Sequence, residues 1–286
     1  MYESHWGLNA RPFDERAVGA FYYPAEGHQA TLIKLRYALA HGCGAALAGP
    51  AGAGKTLLLD SLERQLADRG FVFVRLTYPC LSPGELLSYL ADELSEQSAP
   101  PHSTVQPVDQ SLRRIEMELT RFTSQQKRVV VAVDEAHCIH NPDTLEALRL
   151  LLSLERSQSR APALLLAGQT PLLATLSRLP GLEERLAARC LVPTLCAAET
   201  AAYITHRLQA AGRTSELFDT SASEAVHALS HGTPRRINRL CDLALLVGYA
   251  EERQTICGEH IEAVADELIG RSAVQQLPLH HALQSA

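Results

Sequence analysis

The sequence lacks any cysteine pattern that would staple a fold or hold a zinc ion. Its seven cysteines (Cys43, Cys80, Cys138, Cys190, Cys196, Cys241 and Cys257) are odd in number and widely spaced, with no C-x-x-C. A disulfide framework and a zinc ribbon are therefore not expected. Cys138-Ile139-His140 is a close Cys/His pair with no second pair nearby, so the thiols are read as small buried hydrophobes. A basic excess is also missing. The chain has 26 Lys+Arg against 32 Asp+Glu, a net charge of −6. This excludes a constitutive basic nucleic-acid binder, though not a local basic patch that works in an oligomer. No apolar run reaches the length of a membrane span. The start, Met1 to Trp6, has neither a basic segment nor an apolar one, so no secretory signal and a cytoplasmic location are expected. The sequence shows no internal repeat, and His280-His281 reads as a solvated pair in a polar tail.

What is present is a sizeable core: 46% of the 286 residues are apolar. Strands are expected at 45–48, 71–76, 129–133, 163–167 and 190–192, apolar almost throughout. Helices are expected between them at 28–41, 54–68, 82–97, 110–126, 142–155, 171–178 and 182–189. Ser82-Pro83-Gly84-Glu85 reads as a capped helix start. Residues 98–109, with Pro100, Pro101 and Pro107, read as a loop. After Pro193 the pattern becomes helical only, at 198–211, 221–230, 235–251 and 258–269. Strands that are apolar on both faces and alternate with helices predict a parallel five-stranded sheet in a three-layer αβα core. The expected organisation is a core over 1–195, an all-helical part over 196–270 and a flexible tail over 271–286.

The decisive motif is Gly49-Pro50-Ala51-Gly52-Ala53-Gly54-Lys55-Thr56, a full match to G-x-x-x-x-G-K-[ST] between a strand and a helix. Gly52 and Gly54 allow backbone N–H groups to face phosphate oxygens, and the N-terminus of the helix that follows, with Leu57 on its first turn, adds partial positive charge. Lys55 is suited to the β- and γ-phosphates and Thr56 to Mg²⁺. The strand at 129–133 ends in Asp134-Glu135. A carboxylate at that sheet edge suits a Mg²⁺-holding role for Asp134, and Glu135 can polarise a water for attack. The expected ligands are therefore ATP and Mg²⁺.

Asp134-Glu135-Ala136-His137 also spells the box of a helicase superfamily. Those helicases need two tandem nucleotide-binding cores, whereas here only residues 1–195 precede the helical part, and no arginine-rich helicase motif follows. His137 is read either as a contact to the γ-phosphate network or as a cap of the next turn.

In this order the elements resemble a P-loop NTPase of the AAA+ ATPase type, with an all-helical lid. Within that type they resemble the general-secretion-pathway protein A (ExeA-like) group, which is similar to bacterial transposition ATPases. The resemblance runs from Tyr2 to Ile269. Gly7-Leu8, Arg11-Pro12-Phe13 and Phe21-Tyr22 through His28 resemble the group's opening segment, which the resemblance places near the adenine. From the residues alone, these aromatics either stack on a base or pack on the core. Gly168-Gln169 resembles sensor 1, followed here by Thr170-Pro171-Leu172 where the group usually has Pro-Glu-Leu. Leu152-Ser153-Leu154-Glu155 departs from the group's Asn before Leu-Glu. Glu184-Arg185-Leu186-Ala187-Ala188-Arg189 resembles the arginine-finger segment, and alternatively reads as an exposed helix with two salt-bridged arginines. Gly232-Thr233-Pro234-Arg235-Arg236-Ile237-Asn238 resembles sensor 2, with Arg235 implied to face the nucleotide.

The resemblance implies an ATP-binding and ATP-hydrolysing switch or motor that forms a homo-oligomer, as a ring or a nucleotide-dependent assembly, and acts on a macromolecular partner of the secretion or DNA-transposition type. DNA is a candidate partner through Arg235, Arg236 and Arg239. The alternative is a nucleotide-dependent adaptor with little turnover. A small-molecule kinase is disfavoured because no acceptor site is recognisable.

Overall fold

The computed structural model describes residues 1–14, 19–95, 106–154 and 160–275. Most of the loop expected over 98–109 falls outside these residues, as do Glu155 and His280-His281. The chain divides into two compact units, one of residues 26–193 and one of residues 1–25 with 194–286.

The first unit is α/β. Its elements are α1 (Glu26–Ala40), β1 (Gly44–Ala48), α2 (Lys55–Ala67), β2 (Phe71–Leu76), α3 (Pro83–Leu94), α4 (Val108–Ser124), β3 (Arg128–Val133), α5 (Pro142–Leu151), β4 (Ala163–Gly168), α6 (Pro171–Leu176), α7 (Pro180–Glu183) and β5 (Leu186–Leu191). The strands form one all-parallel sheet in the order β2-β3-β4-β1-β5. Side chains alternate between its faces, as the period of two requires. Ala45, Leu47, Val130, Ala132, Leu165 and Ala167 pack with Leu35, Leu39, Leu58 and Leu62 of α1 and α2. Ala46, Val129, Val131, Val133, Leu164 and Leu166 pack on the opposite face with Leu86, Leu90, Ile115, Leu119 and Leu148 of α3, α4 and α5. The alanines of β1 keep that strand thin, so it fits fully buried between its neighbours β4 and β5. The capped start of α3 has the expected form: the Ser82 N–H donates to Glu85 Oε2 at 2.8 Å, and the Glu85 N–H donates to Ser82 Oγ at 3.4 Å.

The strand order places the site. β1 and β3 are not adjacent; β4 pairs with both. The C-terminal end of β4 therefore emerges between the loop after β1 and the carboxylates after β3. Ligands of open parallel sheets bind at such carboxyl edges, where the strand order reverses.

One expected helix is corrected. Residues 182–189 do not form a helix: α7 ends at Glu183 and β5 begins at Leu186. The run Leu-Ala-Ala-Arg favours a helix locally, but pairing with β1 along Ala188↔Ala45 and Cys190↔Leu47 overrides that preference. β5 is an edge strand, with Leu186 and Cys190 buried and Ala187, Arg189 and Leu191 exposed. Arg185 thus lies in the turn before a strand and Arg189 on the strand itself, so the two are not one helical turn apart.

The second unit contains α8 (Ala197–Ala210), α9 (Thr220–Ser230), α10 (Pro234–Ala250) and α11 (Gly258–Gln275). α11 continues past Arg271, where the tail was expected to begin. The assignment of the opening segment to the core is also corrected: residues 1–25 belong to this helical unit. Tyr2, Trp6 and Phe13 are buried among Leu208, Phe218, Ile237 and Leu245. Trp6 Nε1 donates to the Leu245 carbonyl at 2.9 Å. The Arg207 guanidinium is buried and donates to the backbone carbonyls of Pro12 (2.5 Å), Asp14 (2.7 Å) and Phe21 (3.4 Å). Three carbonyls on one guanidinium satisfy an otherwise costly buried charge and clasp the segment to α8.

Gly232 supplies a test of this unit. Its φ is +67°, and a Cβ there would stand 1.9 Å from the Leu195 carbonyl oxygen. Its own carbonyl accepts from the Leu195 N–H at 2.9 Å. Backbone overlap leaves no flexible side chain to move aside. Gly232→Ala is expected to destabilise the helical unit by about 2–4 kcal/mol. Denaturant unfolding followed by Trp6 fluorescence reads this, and a change below about 0.5 kcal/mol would contradict the packing described.

Candidate functional site

The loop after β1 holds residues 49–54. Gly52 and Gly54 have φ of +79° and +93°, in the left-handed region that residues with a Cβ rarely adopt. They turn the chain so that α2 starts at Lys55. The Gly49 N–H donates to the Gly168 carbonyl at 3.2 Å, tying the start of the loop to the end of β4. Lys55 is buried, and its Nζ donates to the carbonyls of Gly49 (3.1 Å) and Pro50 (2.9 Å). The ammonium thus lies folded under the loop. Buried His28 of α1 also packs here, with its ring carbon Cε1 3.6 Å from where a Cβ on Gly54 would be.

Thr56, on the first turn of α2, donates through Oγ1 to Asp134 Oδ2 at 3.1 Å. Asp134 is buried at the end of β3, and its Oδ1 accepts the Glu135 N–H at 2.9 Å. Glu135 has φ of +51°, a left-handed conformation for a residue with a side chain. Such backbone persists where the surroundings fix it, and it clusters at functional sites. The Glu135 side chain is about half exposed, while its Oε2 is buried with no hydrogen-bond donor among the described residues. Half-buried Gln169 follows β4 directly. The structure therefore brings Lys55, Thr56, Asp134, Glu135 and Gln169 to one edge of the sheet. Arg185 donates to the Leu152 carbonyl at 3.2 Å, and Arg189 pairs with Glu183, both on the exposed side of the same unit. Arg235 belongs to the helical unit, exposed on the first turn of α10, as are Arg236 and Arg239 nearby.

Arg75 is a participant that sequence reasoning passed over. It stands on β2 and donates to Asp134 Oδ2 at 2.9 Å and to Asp60 Oδ1 of α2 at 2.5 Å. Burial works against its charge, but the hydrogen bonds and charges of Asp134 and Asp60 outweigh that and hold the guanidinium more firmly protonated than usual. The signal was available: one arginine inside Phe-Val-Phe-Val-Arg-Leu must find an anion when the strand is covered. Arg75→Gln is expected to destabilise the α/β unit by about 1–3 kcal/mol, mostly through the better buried Asp134 bond. Chemical denaturation measures it, and wild-type stability would show that the pair is inert.

The residues present fit a Mg²⁺-nucleotide. The loop is built on left-handed glycines, and a hydroxyl and a carboxylate already meet at 3.1 Å, the hard-oxygen donor set that Mg²⁺ prefers. Among the described residues, no group of three or more His, Cys, Asp or Glu is arranged to hold a metal ion without such a ligand. Nor is any described helix long and apolar enough to cross a membrane.

Comparison with known proteins agrees with this geometry. The family profile described as an AAA domain matches residues 41–176. General secretion pathway protein A of Aeromonas hydrophila is 33% identical over 273 residues, which is 94% of this chain and 49% of that protein. The chain thus spans about half the length of this curated relative. Among solved structures, Cdc6p from Pyrobaculum aerophilum is similar with a TM-score of 0.68 at 16% identity, over 94% of this chain and 74% of that one. The Aeropyrum pernix ORC1 protein, solved in complex with DNA, gives a TM-score of 0.65 at 19% identity, over 91% of this chain and 71% of that one. The last two similarities concern the fold alone. With the phosphate loop at 49–56, the five-stranded parallel sheet and the helical unit in place, the chain belongs to the AAA+ ATPase group.

Proposed function

We propose that this protein binds and hydrolyses ATP with Mg²⁺ and uses the cycle as a switch or motor on a macromolecular partner. The observation that carries the reading is the meeting of Thr56 Oγ1 and Asp134 Oδ2 at 3.1 Å beside Glu135, whose Oε2 has no hydrogen-bond donor among the described residues. The loop N–H groups of residues 49–57 and the Lys55 ammonium would hold the phosphates. Thr56 and Asp134 would hold the metal. When bound, Mg²⁺·ATP supplies the reacting phosphoryl group and neutralises charge developing on it. Glu135 takes a proton from the attacking water, and Gln169 orients that water. Arg235 links the helical unit to the phosphate state, and Arg185 or Arg189 completes a neighbouring subunit's site in a homo-oligomer.

The relative from Aeromonas supports a secretion-type partner. The DNA in the ORC1 complex, together with exposed Arg235, Arg236 and Arg239, supports a DNA-type partner. Turnover measured with and without DNA separates the two, since stimulation by DNA favours the second and indifference the first.

Assembly has its own test. Turnover per subunit should rise with protein concentration. Mixing Arg185→Ala with Lys55→Ala should restore activity, because the first keeps an intact phosphate loop and the second can lend it a finger. Restoration with Arg189→Ala but not Arg185→Ala reassigns the finger to Arg185's neighbour on β5. No restoration with either, at concentration-independent turnover, overturns the shared site.

A further inference from the structure

Asp134, the carboxylate proposed for the metal, already faces a cation. Its Oδ2 accepts from Thr56 Oγ1 at 3.1 Å and from Arg75 Nη2 at 2.9 Å, and its Oδ1 accepts the Glu135 N–H. Arg75 Nη1 donates to Asp60 Oδ1 at 2.5 Å. The Arg75 Nε is buried with no partner among the described residues, so the hydrogen bonds of this guanidinium go to two carboxylates.

The fold fixes the trio in place. β2 and β3 run side by side with Leu76 opposite Val133, and the Asp134 N–H donates to the Leu76 carbonyl at 2.9 Å. Arg75 therefore stands just below the level at which Asp134 leaves the sheet. With Phe71 and Phe73 it occupies the face of β2 that α2 covers. On α2, Thr56 and Asp60 are four residues apart and share one side of the helix. Arg75 thus reaches from the first turns of α2 to the end of β3.

Asp60, Arg75 and Asp134 together carry one net negative charge. The Asp134 side chain is 9% exposed and that of Arg75 22%, so water screens their attraction little. A divalent cation bound at Asp134 would share that carboxylate with a guanidinium that is already fixed on it. Asp60, 42% exposed, partly neutralises the guanidinium from the other end.

We infer that Arg75 is a positioning residue that sets the metal affinity of the site: it occupies Asp134 as a counter-cation, braced by Asp60, so that Asp134 takes up Mg²⁺ together with the negative phosphates of a nucleotide and not ahead of them. The inference rests on the reading of Thr56 and Asp134 as the metal site.

The test uses the full chain and two titrations. One adds Mn²⁺ alone and follows the free-ion signal by electron paramagnetic resonance. The other measures affinity for a fluorescent ATP analogue in EDTA and in Mg²⁺. Arg75→Gln keeps an amide donor and removes the charge. It is expected to bind Mn²⁺ alone about tenfold more tightly, the order for one neighbouring charge at a dielectric between those of water and the protein surface. The gain in analogue affinity on adding Mg²⁺ should grow by a similar factor. Arg75→Lys keeps the charge and should stay within about threefold of the parent. Asp60→Asn should move the other way, with Mn²⁺ binding about 2–5-fold weaker, a smaller effect because Asp60 is better solvated.

Unchanged or weaker Mn²⁺ binding in Arg75→Gln, a Lys variant that behaves like Gln, or tighter metal binding in Asp60→Asn would each overturn the inference. Should Arg75→Gln not fold, Asp60→Asn, changed at a partly exposed position, carries the test by itself. Failure of the underlying reading looks different: the parent would then gain no analogue affinity from Mg²⁺, whatever residue stands at position 75.

Discussion

Glu135→Gln is expected to retain Mg²⁺·ATP and to hydrolyse it about 10²–10⁴-fold more slowly than the parent, the range for loss of a general base. The amide has nearly the shape of the carboxylate, so the left-handed backbone at residue 135 and the Glu135 N–H bond to Asp134 Oδ1 should persist. Asp134, Thr56 and Lys55 stay in place, so binding has no reason to weaken. What disappears is the ability to take a proton from water. Single-turnover hydrolysis beside a nucleotide titration reads both halves of this expectation. A variant that turns over at the parent rate removes Glu135 as the base. One that loses affinity as well shows that residue 135 holds the turn rather than the proton. The slowed variant is also the natural trap for a nucleotide-dependent partner.

Lys55→Ala is expected to weaken ATP binding by about a hundredfold or more, which corresponds to roughly 3 kcal/mol for one charge-assisted contact removed from a buried site. Lys55 is buried, and its Nζ already donates to the Gly49 and Pro50 carbonyls at 3.1 and 2.9 Å. Its removal therefore takes away a cation addressed to phosphate and also two hydrogen bonds that brace the loop. The two effects separate in a melting experiment. Loss of bracing lowers the midpoint without nucleotide. Loss of binding abolishes the rise that Mg²⁺·ATP produces in the parent, because a ligand stabilises only in proportion to its occupancy. An undiminished rise in Lys55→Ala would remove the phosphate-loop assignment.

The loop, the five strands and the carboxylates after β3 were legible because each is a local pattern. Gly52 and Gly54 stand where the backbone is left-handed, and that requirement is set within a few residues. Val129 to Val133 can only be a buried strand in a chain that folds at all, since valines in a row suit a pleated, covered surface. Residues 186–189, expected as the end of a helix, misled for the same reason: they belong to the fifth strand, of which only the end at Cys190-Leu191 was legible. Their alanines carry a local preference for a helix, and nothing within the segment records that β1 offers an unpaired edge.

The sequence by itself determined that there is a phosphate loop, that a parallel α/β sheet carries it, and that Asp134 and Glu135 follow a buried strand. Only the tertiary structure decided which distant groups meet. It put residues 1–25 with α8 to α11, because Trp6 and Phe13 find their apolar partners there and Arg207 finds its three carbonyls in residues 12–21. It set β4 between β1 and β3, which carries Gln169 to the carboxylates. It placed Arg75 on Asp134 and the Gln169 N–H on His137 Nδ1. Backbone conformation and burial follow from side chains a few positions apart. Strand order and buried charge pairs follow from how a whole chain divides its apolar surface, and each segment contributes only one side of that choice.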